Sequence, residues 1–527
     1  MKETSQTCDT TYDAELQQRV EALFQYALKQ TTGIQGLHAE LSRSHQRLQQ
    51  PMRVAVVGKI KAGKSTFMNA LLEEKVVETG AVETTFNVNW LRFRPQRSLT
   101  VYYKDEQRLP EQLPYDRLAE LTKRSDDPEV SKYLRSIKYI QVSYPNPILR
   151  AFDLIDTPGL ESTYEDDARN TLDFIMQYGK ELTATTQEEA GNADAVLYLF
   201  SKGLGESDSG TLKEFQGEVV GQARPFNAIG VLTKVDANWK AYDDPLQGTQ
   251  AITIRLAGLP QVRRLFYSIL PIAGLLGFGA KTMTADEFET LLRIAALPPA
   301  QFRKIAQSKD FFVKDYPFVP VPQEKRKQLA TRLEMYGINL AYRLINEQGI
   351  REREQLMEAL YERSGLLELR QLILSHFGRR AYLIKLSNAL SQLENAFIEA
   401  RQEVRGSERG KEKEVVSDLA GKFQMLRLEE HAFQEIEVLG SYYEGKLTLT
   451  SGEAAQLLQV TGERGTTYYE RLDMPENATK AELQWAAETR LRYWKEKAND
   501  VGFDRSTPQA ADVLAQSYNR IVYELSK

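Results

Sequence analysis

The stretch VAVVGKIKAGKSTFMNALL, Val54 to Leu72, constrains this chain more than any other. Three β-branched residues and an alanine lead into Gly58, four residues intervene before Gly63-Lys64-Ser65, and a helix-forming run follows. An apolar run this short before a glycine predicts a buried strand over Val54–Val57. The glycines let backbone N–H groups turn inward into an anion nest, and the N-terminus of the following helix faces the same charge. Lys64 is expected to reach the β- and γ-phosphates of a nucleotide, and the Ser65 hydroxyl to ligate Mg²⁺. Lys59, Ala62 and Thr66 complete the expected contacts around the phosphates. Lys61 has two readings: an ammonium laid over the phosphates, or a solvent-facing lysine on a loop.

Three further stretches point to guanine. AFDLIDTPGLES places Asp156 at the end of an apolar run, where it suits an outer-sphere role at Mg²⁺, and Gly159 where its N–H can bond a γ-phosphate. AIGVLTKVDANW places Thr233, Lys234 and Asp236 after another apolar run. A carboxylate at Asp236 can accept from both the ring N–H and the amino group of guanine, whereas adenine would present a lone pair to it. The Lys234 stem can cover the base plane with its ammonium kept polar. In LFYSILPIAGLLGFGA, Leu265 to Ala280, the first part reads as the last sheet strand and Ile272-Ala273-Gly274 as a backbone loop at the guanine edge. The run is shorter than the roughly 20 residues a membrane span needs. Between these motifs, ETGAVETTFNVNWLRF offers Thr84 or Thr85 as a switch threonine completing Mg²⁺ coordination; Thr85 is favoured as the last loop residue before an alternating strand. The expected Mg²⁺ set is Ser65, Thr85 and Asp156, and hydrolysis is expected to rest on Lys64, Thr85, Asp156 and Gly159. Leu160 stands where a Ras-like switch carries its water-orienting glutamine, so that group must come from a switch backbone, a cation or a second molecule.

With a net charge of −5 the chain has no global basic field for nucleic acid, and none is expected as a partner. Its one cysteine, Cys8, excludes an intrachain disulfide, and its four histidines are scattered with no metal-ligand spacing. The N-terminal MKETSQTCDT lacks the apolar core of a signal peptide, and the expected location is cytoplasmic.

GKIKAGKSTFMNALL, ETT, DTPGLEST, LTKVD and PIAGLLG, in this order, resemble bacterial dynamin-like proteins. The resemblance implies a GTPase (GTP to GDP, with Mg²⁺) whose hydrolysis is stimulated by self-assembly across the G domain and is often coupled to membrane remodelling. It matches Lys64 and Ser65 to phosphate and Mg²⁺ residues, Thr85 to the switch threonine, Asp156 and Gly159 to the second switch, and Thr233, Lys234 and Asp236 to the base-reading motif. Dynamins commonly carry a phosphate-loop serine that helps hold a monovalent cation; this chain has Lys61 there.

The flanks are helical. Leu16, Val20, Leu23, Ala27, Ile34, Leu37, Leu41 and Leu48 form one apolar stripe, read as a single helix, and Leu383, Leu386, Leu390, Leu393 and Phe397 form another. The expected fold is an α/β P-loop GTPase domain with a mostly parallel sheet, an all-α bundle and a small C-terminal helical module. The expected division is 1–50 for a first bundle helix, 51–300 for the G domain, 301–440 for the bundle, 441–466 for a linker and 467–527 for the module. YYERLDMPENATKAEL in that module resembles a J-domain, but Trp494-Lys495-Glu496 stands where a J-domain carries His-Pro-Asp, so docking of a protein partner is expected there and not co-chaperone activity. Two functions fit: a GTPase associated peripherally with the inner face of a membrane and its lipid, or a soluble regulatory GTPase that docks a partner. A nucleotide-gated scaffold without hydrolysis is the third.

Overall fold

The computed structural model describes residues 8–58, 62–77, 89–105, 107–122, 127–156, 193–201, 227–258, 262, 266–404, 410–443, 446–465, 467–499 and 506–526. The chain divides into two compact units; among the described residues one holds 53–374 and the other 8–52 with 375–526.

The first unit is built on one sheet of strands β1 (Met52–Gly58), β2 (Asn89–Phe93), β3 (Ser98–Tyr103), β4 (Glu111–Leu113), β5 (Ile137–Tyr144), β6 (Phe152–Asp156), β7 (Ala195–Phe200), β8 (Ala228–Leu232) and β9 (Ser268–Pro271). Their order is β4-β3-β5-β2-β6-β1-β7-β8-β9. β1, β7, β8 and β9 run parallel, as do β2 and β5, while β3 pairs antiparallel with β4 and β5, and β2 with β6. β1, β6 and β8 are buried at every position, which is why they are mostly apolar with no alternation; the exceptions, Arg53 in β1 and Asp153 and Asp156 in β6, are buried charges.

The helix α3 (Lys64–Leu72) follows β1, and a helical layer follows β9: α4 (Gly274–Lys281), α5 (Ala285–Ala295), α6 (Gln323–Arg332), α7 (Glu334–Glu347), α8 (Arg353–Glu362) and α9 (Leu366–Ile373). Glycines make this layer thin. A Cβ at Gly279 would lie 2.6 Å from the Arg332 carbonyl oxygen, and one at Gly277 would collide with Leu366. Helices from 301 to 374 thus belong by their contacts with the sheet unit, where the sequence had the bundle begin at 301. They pack on α4 and α5 and on one another, with α9 reaching α3.

In the second unit the N-terminal stripe is carried by two helices, α1 (Cys8–Gln30) and α2 (Gln35–Gln49). The break falls at Thr31-Thr32-Gly33, where the buried Thr31 hydroxyl donates to the Ala27 carbonyl at 2.9 Å. Leu16, Val20, Ala27, Leu37, Leu41 and Leu48 nevertheless share one core with Leu386, Leu390, Leu393 and Phe397 of α10 (Ala381–Glu403) and with α11 (Gly410–Glu429). A second core joins α12 (His431–Tyr443), α13 (Ser451–Val460), α14 (Lys480–Ala498) and α15 (Ser506–Ser526). The stretch 441–466, expected as a linker, therefore carries a helix. Thr450 and Glu453 cap it reciprocally, the same device that Thr479 and Glu482 form at α14, and Leu457 and Val460 enter the core.

Candidate nucleotide site

Gly58, Asp156, Leu232 and Pro271 are the carboxyl ends of β1, β6, β8 and β9, and carboxyl ends of strands are where open α/β sheets bind ligands. At the end of β1, a Cβ on Gly58 would sit 2.5 Å from the Leu199 carbonyl oxygen, so only glycine lets the strand pass β7. Gly63 takes φ +91 and caps α3, turning the chain so that Lys64, Ser65 and Thr66 open the helix. The Lys64 side chain is buried, and its ammonium donates to the Gly58 carbonyl at 3.0 Å. Reaching a phosphate means exchanging that bond for a stronger, charge-assisted one.

The base-reading stretch is tied to this loop. The Thr233 hydroxyl donates to the Ala62 carbonyl at 2.7 Å, with the Phe200 carbonyl 3.2 Å from the same oxygen. Lys234 sits in the left-handed region at φ +58, and its Cε lies 4.0 Å from where a Gly63 Cβ would be, so its stem runs along the phosphate loop. Asp236 follows in the 3-10 turn Val235–Asn238 and is only 6% exposed. Burial raises its pKa to about 6, assisted by the Glu334 charge and opposed by a backbone hydrogen bond and by Lys234. Ala273 and Gly274 open α4 beside them; a Gly274 Cβ would lie 3.7 Å from the Thr66 methyl.

Asp156 ends β6, fully buried, and faces Asn89 at the start of β2 in register; the Asn89 amide lies 3.5 Å from its carboxylate. Gly58, Ala62, Gly63, Lys64, Ser65, Thr66, Thr233, Lys234, Asp236, Ala273 and Gly274 are thus gathered at one edge of the sheet, with Asp156 on the neighbouring strand end. Lys59, Lys61, Thr84, Thr85, Gly159 and Leu160 lie outside the described residues.

Several contacts that the motifs do not reveal hold together the elements that form this edge. The buried Asn69 side chain accepts from the Val76 and Val77 N–H groups at 2.8 and 2.9 Å and donates to the Val77 carbonyl at 2.8 Å. It thereby fixes the chain that leads toward Thr85. An amide inside the apolar run Phe67-Met68-Asn69-Ala70-Leu71-Leu72 was the available signal. The Ser364 carbonyl accepts from the Ala273 N–H at 2.9 Å, and Gly365, at φ +74, brings that chain where a Cβ would lie 2.5 Å from the Pro271 carbonyl. Glu73, which ends α3 at φ +56, is paired with Arg370 of α9 and with Lys281 of α4, the latter at 3.6 Å. Ser364 and Arg370 are distant in sequence and give no local signal.

Residues 54–235 match the model of the dynamin family. Over 490 residues, 92% of this chain and 93% of the relative, the sequence is 27% identical to the isoniazid-induced protein IniC of Mycobacterium tuberculosis. It is 32% identical over 143 residues to the bacterial dynamin-like protein of Nostoc punctiforme, covering 25% of this chain and 20% of that one. It is also 26% identical over 155 residues to dynamin-like protein 2 of Campylobacter jejuni, covering 29% and 24%.

Proposed function

We propose, from the match of residues 54–235 to the dynamin family, that this chain binds GTP with Mg²⁺, hydrolyses it to GDP and phosphate, and does so faster when copies meet across the nucleotide face. The observation that carries the reading is the coupling of the phosphate loop to the guanine motif through the Thr233 bond to Ala62. One side chain holds the two halves of the pocket in register. Lys64 neutralises the phosphates, Ser65 and Thr85 ligate Mg²⁺ with Asp156 behind them, Gly159 senses the γ-phosphate, and Asp236 selects guanine. Lys59, Lys61, Ala62, Gly63 and Thr66 line the phosphates, and Ala273 and Gly274 bound the base. Leu160 has no group that can orient water, which supports a contribution from a second molecule.

The cycle is proposed to move the helical unit and to act on a membrane from its surface. Among the described residues no helix is long and apolar enough to cross a bilayer, so contact would be peripheral. A second reading, a regulator that docks a protein partner through its last helices, is favoured by Trp485 and Tyr523, which are 66% and 61% exposed. Turnover per molecule, measured over a range of protein concentrations with and without anionic liposomes, separates the two. A rate that climbs with both supports the assembling membrane GTPase. A rate that ignores lipid supports the regulator, and GTP binding without phosphate release overturns hydrolysis.

A further inference from the structure

Tyr336 stands near the start of α7, 2% exposed, and its buried hydroxyl makes no hydrogen bond among the described residues. A phenol in that position has given up water without gaining a partner, which is unfavourable unless another state of the protein uses it. Its surroundings say which state. α7 packs against the turn Val235–Asn238 that carries Asp236. On another side Gly337 lets the helix approach α4, where a Cβ would lie 2.9 Å from Leu276. Tyr336 lies in the field of Asp244, of the guanidinium groups of Arg343 and Arg363 and, more weakly, of Asp236, while Asp236 in turn feels Glu334 and Lys234. The first turn of α7 and the base-reading carboxylate therefore share one buried environment.

We propose that Tyr336 is a positioning residue for base recognition, its hydroxyl donating to the Asp236 carboxylate when guanine holds that group ionised. The inference rests on the proposed role of Asp236. Guanine presents two N–H donors, which only an ionised carboxylate can accept together, and burial opposes that ionisation. A phenol alongside supplies one further donor to the charged form and none of the charge that a lysine would bring. Tyr336 thus acts through Asp236.

The test uses the full chain with Tyr336→Phe, which removes the hydroxyl and keeps the ring, beside Asp236→Asn. Affinities for GTP and for xanthosine triphosphate are measured from pH 5 to 8, with the melting temperature of the nucleotide-free protein. Tyr336→Phe is expected to weaken GTP about tenfold, the worth of a hydrogen bond to a charged group. It should move the pH at which affinity is half lost upward, and leave the nucleotide-free melting temperature unchanged or raised. Affinity and pH profile identical to the parent protein, with Asp236→Asn losing its guanine preference, overturn the inference and leave the base site standing. A lowered nucleotide-free melting temperature also overturns it, since the hydroxyl would then already be bonded. Guanine preference intact in Asp236→Asn overturns the base site itself. Tyr336→Met repeats the measurement should the phenylalanine variant not fold.

Discussion

At the scale of single residues the site is a set of side chains whose ordinary chemistry is bent by burial. Asp236 is the clearest case, with a pKa raised from 3.8 to about 6, chiefly by desolvation. The native state holds that proton longer than the unfolded chain does, so this group's contribution to stability is fullest below 3.8 and is lost as pH rises through 6. Guanine binding has the opposite sign, because it needs the ionised form. GTP affinity is predicted to hold above pH 6 and to fall about tenfold per unit below it, checked by titrating a fluorescent GTP analogue from pH 5 to 8. Asp236→Asn should remove that dependence and shift preference toward xanthine. Asn69 is an energetic case. Its amide satisfies two N–H groups and one carbonyl, all in the interior, and Asn69→Ala leaves them without partners. The expected cost is about 1–3 kcal/mol, read by urea denaturation, together with a weaker grip on the chain that leads toward Thr85.

At the scale of elements, packing depends on what a helix lacks as much as on what it carries. α4 lies flat in its layer because Gly277 and Gly279 have no Cβ, and Gly279→Ala would drive a methyl against the Arg332 carbonyl. We expect it to destabilise the sheet unit by about 1–3 kcal/mol, seen as a lower melting temperature. In the helical unit, Lys385 of α10 is buried with its ammonium 2.6 Å from the Leu48 carbonyl and 2.5 Å from that of Gln50. It closes the C-terminus of α2, where a cation also meets the negative end of the helix dipole. Glu435 on α12 shows the reverse of Asp236. Burial pushes its pKa up, but the His431 hydrogen bond, the Arg471 charge and the Ser517 hydroxyl outweigh it and hold it at about 2. Its folded pKa is depressed, so its contribution is present above 4.5 and is lost as pH falls toward 2. Glu435→Gln is predicted to cost about 3 kcal/mol at pH 7, measured by denaturant titration, and the loss should shrink at pH 3.

At the scale of the whole molecule, the proposed nucleotide site lies entirely within the unit of residues 53–374, while the cores of the other unit are built from residues 8–52 and 375–526. A ligand stabilises what it binds. Calorimetry of the full chain should therefore show two unfolding transitions, of which GTP raises one, Asp236→Asn abolishes that shift, and Glu435→Gln lowers the other. A single transition raised as a whole by GTP would overturn this separation.

The sequence by itself determined whatever depends on neighbours along the chain. The run Val54–Ser65 dictates strand, glycine loop and helix because φ, ψ and side-chain period are local properties, and the same holds for the apolar strands that end at Asp156 and precede Thr233. Capping boxes are as local, which is why α14 could be read from Thr479 and Glu482, and α13 was equally open to reading from Thr450 and Glu453. The break at Thr31–Gly33 was not legible as a break, since the apolar stripe keeps its period across it. Only the tertiary structure decided that residues 301–374 belong with the sheet, that Lys385 closes α2, and that Ser364 and Tyr336 lie beside the nucleotide motifs. Each of these is a contact between segments far apart in sequence. An apolar face records that a helix will be buried but not against which partner, and a buried hydrogen bond leaves no trace in the order of residues.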